Sequence, residues 1–183
     1  MADEEEEGAA DLGEAAVKEF CAAAGELIFW ASMIDRQLNQ AILGQLALPE
    51  HPLIEPLVAQ FDPRPKCELL KKRAKTLPDE WKSKITGWVK RAEKVNAKRN
   101  IVAHHGIRIK DGTIKLHSDQ LTKMMDSFDT SDGVIKPRED KGLEEILEWI
   151  ELARRTYGEG DVVLANLKRF RELADTKMGR AGP

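Results

Sequence analysis

Cysteine is nearly absent from this chain. Cys21 and Cys67 lie far apart and form neither a CxxC pair nor any zinc-type spacing. That excludes a cysteine-built metal site and leaves two idle thiols, as expected of a chain in a reducing cytoplasm. No uncharged apolar run is long enough to span a bilayer, and no secretory leader pattern is seen, so the expectation is a cytoplasmic protein with no membrane segment. Aromatic residues make up only 5%, although four of them are tryptophans. No internal repeat is present.

Charge and apolar aliphatics fill the rest. Charged residues reach 33% and hydrophobic ones 42% of 183 residues, a helix-rich profile sized for one domain. The net charge of −3 hides an asymmetry. Asp3, Glu4, Glu5, Glu6 and Glu7 form an acidic run without core residues, expected to be a disordered tail over residues 1–11. From Arg64 to Arg99, thirteen Lys/Arg face only four Asp/Glu, a local net of +9. Such a stretch attracts phosphate backbones, or it is simply a set of solvated helix faces.

Hydrophobic spacing predicts a long first helix over residues 12–48, on Val17, Phe20, Ala24, Leu27, Ala31, Leu38 and Ile42. A short helix or apolar loop follows at 53–61, then a basic helix at about 65–76. Pro78, Asp79 and Glu80 open a third long helix that runs to about His104. Residues 107–117 alternate apolar and polar around Asp111-Gly112, a hairpin pattern. Residues 118–137 read as irregular, with one helical turn at 119–126. A fourth helix starts near Glu139. Gly158 and Gly160 either kink it or divide it in two, and residues 176–183 form a frayed tail. The fold class is all-α: a helical bundle of four to five main helices, one domain over residues 12–175, with a small β-hairpin inserted after the third long helix.

One arginine breaks the pattern of that third helix. At about 100° per residue, Trp81 eclipses Arg99, and Trp88, Ala92, Ile85, Ala103 and Val95 fall within about 40° of it. An arginine on this apolar stripe is costly unless it is paired or snorkels into a solvated cleft. The first helix carries one carboxylate, Asp35, on its own apolar face. Asp35 is therefore the expected mate, as a buried ion pair that sets helix register or as a carboxylate that aims Arg99 at a ligand.

His104 and His105 occupy the last turn, on opposite flanks of the Arg99 stripe. The negative end of the helix dipole favours protonated imidazole there, while Lys98 and Arg99 oppose it. A histidine near a helix end is commonly a cap, and it is also a fit general acid or base. A metal site from His104, His105 and His117 is disfavoured, because adjacent helical histidines diverge by about 100°.

The run Arg99-Asn100-Ile101-Val102-Ala103-His104 resembles the Arg-x4-6-His signature of HEPN domains. It includes the polar residue that often follows the arginine, and it stands near the end of a long helix. The first helix with Trp30 and an inward acid, then Phe61–Lys66 leading into a short basic helix, is similar to many bacterial HEPN proteins. The likeness spans roughly residues 12–106 and, more loosely, the C-terminal helix. It implies a homodimer with two motifs facing one cleft and a metal-independent endoribonuclease without cofactor. It also implies a toxin–antitoxin or phage-defence setting, with an antitoxin or other regulatory partner. Arg99 would stabilise charge on the scissile phosphate of an RNA substrate, and His104 would move a proton of the 2′-hydroxyl or of the leaving oxygen. Asn100 would orient the phosphate or the imidazole, and Asn96 would extend the polar strip. Lys98, Lys94 and Arg91 would bind backbone phosphates. His105 offers a second register. The tyrosine that one HEPN toxin group carries after the histidine is Gly106 or Ile107 here, so its modification does not transfer. The alternative is a HEPN-like module that binds RNA, a nucleotide or a protein without catalysis.

Overall fold

The computed structural model describes residues 2–45, 54–110, 113–117, 128–129, 136–137 and 141–177. Five helices are present among them: α1 (Ala2–Gln45), α2 (Ile54–Ala59), α3 (Pro63–Ala74), α4 (Asp79–His104) and α5 (Leu143–Lys177). Between α4 and α5 stand β1 (Gly106–Lys110) and β2 (Thr113–His117), an antiparallel hairpin, and the two-residue strands β3 (Phe128–Asp129) and β4 (Lys136–Pro137). The all-α class with an inserted hairpin is therefore the observed one. No helix among the described residues is long and apolar enough to cross a membrane.

Several boundaries differ from those read in the sequence. Helix α1 includes the acidic run assigned to a disordered tail; alanine and glutamate are strong helix formers, and acids suit a helix start. Helix α5 is one continuous element, neither divided nor interrupted at Gly158 and Gly160. Two mid-helix glycines cost about 1 kcal/mol each, which burial of one apolar face outweighs. The pairing of β3 with β4 lies within a stretch read as irregular. The turn at Asp111-Gly112, the helical turn at 119–126 and the tail from 178 lie outside the described residues.

The chain divides into two compact units. The first comprises Met1–Ile28 with Lys98–Ile150, the second Phe29–Ala97 with Glu151–Pro183. In the first, Phe20, Leu27, Leu116, Ile146 and Ile150 are buried. Gly106 pairs with His117 and Lys110 with Thr113. The Leu116 N–H donates to Lys141 O at 2.8 Å, which ties β2 to the start of α5. There Gly142 N–H donates to Glu145 Oε2 at 2.8 Å, the reach-back half of a capping box. Burial pushes the Glu145 carboxyl up, but this N–H and its other hydrogen-bond donors bring it below its ordinary value.

The second unit is a helical bundle. Ile34 and Leu38 of α1, Cys67 and Leu70 of α3, Ile85, Trp88 and Val95 of α4, and Ala153 and Leu167 of α5 form its core. Its helices are pinned by buried polar contacts as well as by packing. Trp88 Nε1 donates to Thr156 O at 3.1 Å. Gln37 Nε2 donates to Tyr157 O at 3.0 Å and to Asp161 Oδ1 at 2.8 Å. Gly160 permits this approach: a Cβ there would stand 2.1 Å from Gln37 Oε1 and 2.9 Å from Trp88 Nε1.

Candidate functional site

Helix α4 positions the candidate residues. Its start follows from Pro78, whose carbonyl accepts from Lys82 N–H at 3.0 Å, with Asp79 and Glu80 in the first turn. Its apolar stripe is buried at Ile85, Trp88, Val89, Ala92 and Val95. One turn later the stripe fades. Arg99 is half-buried, and Ala103, expected on the core-facing stripe, is exposed. Arg99 therefore stands at the margin of an apolar face, not within it, and its charge keeps access to water.

The helix ends beside it. His105 N–H donates to Ile101 O at 3.0 Å, closing the last turn, and Gly106 already belongs to β1. His104 and Asn100 are exposed, and Asn96 is half-buried. His105 is half-buried, and its Nδ1 is enclosed without a hydrogen-bond partner among the described residues. The imidazole open to solvent is that of His104. Among the described residues no group of three or more His, Cys, Asp or Glu side chains could hold a metal ion.

The other named residues divide. Lys98 lays its ammonium 4.6 Å from the centroid of the Trp149 ring, a cation–π contact that fixes the side chain. Lys94 is exposed. Arg91 is bound through Nε to Glu159 and Lys66 to Asp35. Lys71 donates to Glu93 at 2.5 Å and to Glu68 at 3.2 Å, and the hydrogen bond to Glu93 raises its pKa. Lys82 and Lys84 pair with Asp79 and Glu80. Five of the thirteen basic residues of this stretch are thus neutralised locally.

Asp35 is the clearest correction. The wheel gave it Arg99 as a mate; the structure gives it Lys66. Lys66 is 1% exposed and donates to both carboxylate oxygens, at 2.9 and 2.8 Å. The sequence held the information. Lys66 shares a helical face with Cys67, Leu70 and Ala74, all buried. Counting it within a basic run, instead of placing it on that face, concealed it.

In comparisons with known proteins, no family model, curated protein or solved structure matches the chain.

Proposed function

We propose that this protein is a HEPN-like, metal-independent endoribonuclease in which Arg99 and His104 carry the chemistry, two copies sharing one cleft. The observation that carries the reading is the end of α4: a half-buried arginine whose charge keeps access to water, an exposed asparagine after it, and an exposed imidazole on the last helical residue. A guanidinium held near a phosphoryl group stabilises the charge that develops there. An open imidazole takes the proton of a ribose 2′-hydroxyl or gives one to the leaving oxygen. With the 2′-hydroxyl as nucleophile, the substrate is RNA. The exposure of His104 and the enclosed Nδ1 of His105 favour His104 as the proton carrier. Lys94 is a candidate for phosphate binding. Arg91, engaged by Glu159, is a weaker one. The resemblance adds a toxin–antitoxin or phage-defence setting in the cytoplasm, with a neutralising partner.

The test is cleavage of single-stranded RNA in the presence of EDTA by the wild type, Arg99→Ala, His104→Ala and His105→Ala. Losses of about a hundredfold or more in the first two variants are expected. His105→Ala should stay near wild type. Undiminished cleavage by both Arg99→Ala and His104→Ala overturns the proposal. RNA binding without turnover by the wild type supports a non-catalytic module instead.

A further inference from the structure

The second unit contains a slot unrelated to the α4 terminus. It has a volume of about 320 Å³ and opens between α4 and α5, at the lower end of the range for small-molecule sites. Its cause is local. At Gly160 helix α5 comes so close to Trp88 that no Cβ fits. One turn later, Val163 is too short to fill the space beside Trp81 and Trp88. The Trp88 indole is fully buried and anchored through Nε1 on Thr156 O, so it forms a fixed wall. Trp81 is half-buried, and its ring is braced against Phe170 at 5.9 Å between centroids. The lining is thus two indoles and branched aliphatics, a shape suited to a flat apolar ring.

The polar groups at the slot say what that ring should carry. They are Lys84, Arg91, Glu159 and Asn166, with the Lys84 ammonium held by Glu80 outside the lining. Arg91 uses Nε on Glu159. Its two Nη nitrogens fold against Gly87, 3.5 and 3.8 Å from where a Cβ would stand. Lys84 lies 5.7 Å from the Trp81 ring centroid. A carboxylate on the ring can accept from these Nη donors. The Glu159 carboxylate beside them disfavours a second negative charge.

The geometry points to a binding site for a small, flat aromatic monoanion, its ring between Trp81, Trp88 and Val163 and its carboxylate on Arg91. The probe is 2-naphthoate, with 2-naphthamide as its neutral match in shape. Binding is read from the indole N–H resonances of the full chain. Trp81 and Trp88 should shift saturably, with a dissociation constant on the order of a millimolar or tighter. The Trp149 resonance should stay in place. Loss of the charge should weaken binding about tenfold, for the amide on the wild type and for naphthoate on Arg91→Gln. An unshifted resonance of Trp30, which packs on Tyr157 within the same unit as the slot, certifies the variant's fold. Absence of saturation at Trp81 and Trp88 at millimolar naphthoate overturns the proposal. Equal affinity for naphthoate and naphthamide on the wild type overturns it as well, whatever the variant does.

Discussion

Lys66 and Asp35 form a doubly bonded ion pair in which the ammonium is sealed and the carboxylate is 30% exposed. Taking the ammonium out of water is offset only while both oxygens face it. Asp35→Ala should therefore destabilise the protein by about 3 kcal/mol, since it strands a buried charge. Lys66→Met combined with Asp35→Leu should recover most of that loss. Urea unfolding curves measure both. A loss below about 1 kcal/mol in Asp35→Ala would give the pair no more weight than a surface contact.

Two glycines of α5, two residues apart, should respond with opposite signs. Nothing lies within 4 Å of a Cβ at Gly158, whereas at Gly160 it would meet Gln37 Cδ at 2.6 Å and Trp88 Nε1 at 2.9 Å. Gly158→Ala should stabilise by up to about 1 kcal/mol through helix propensity. Gly160→Ala should destabilise by about 1–3 kcal/mol through overpacking, because the Trp88 indole cannot retreat. Thermal melts of the two variants beside the wild type decide it, and equal shifts of one sign would refute the close approach.

The thiols should react at very different rates. Cys21 is exposed, whereas Cys67 is buried and its thiol is pushed up to about 12, first by burial and then by the Glu93 carboxylate. A disulfide reagent at mildly alkaline pH should label one thiol per chain at once and the second only as the fold opens. The linkage follows in sign. The folded chain holds the Cys67 proton up to about 12 and the unfolded chain only up to 9.0, so stability falls as pH rises past 9.0. Cys67→Ala should show a shallower alkaline decline, and an unchanged decline would count against this assignment.

Helix faces were readable where proline and acids marked a start and apolar residues kept one spacing. Helix α4 shows both, from Pro78 to Val95. Asp35 was recognisable as an inward acid, but its mate was not, because a wheel places a charge on a face without saying which helix faces it. Lys66 was hidden by its neighbours' charge. Gly160 looked like a helix breaker because local propensity is all that a single residue displays. The contact with Gln37 and Trp88 that calls for glycine is more than seventy positions away in sequence. The pairing of Phe128-Asp129 with Lys136-Pro137 is too short to carry any periodicity.

The local ion pairs also set a ceiling on how strongly salt can govern binding to a polyanion. Within the stretch from Arg64 to Arg99, Lys66, Lys71, Lys82, Lys84 and Arg91 already hold carboxylates. Among the described residues that leaves Arg64, Lys72, Arg73, Lys75, Lys90, Lys94, Lys98 and Arg99 in that stretch to displace counterions from a nucleic-acid strand. Released ions, not formal charge, fix the slope of affinity against salt, about 0.7 per phosphate neutralised on a single strand. An RNA held by this stretch would thus leave it with rising salt more gently than its count of basic residues suggests.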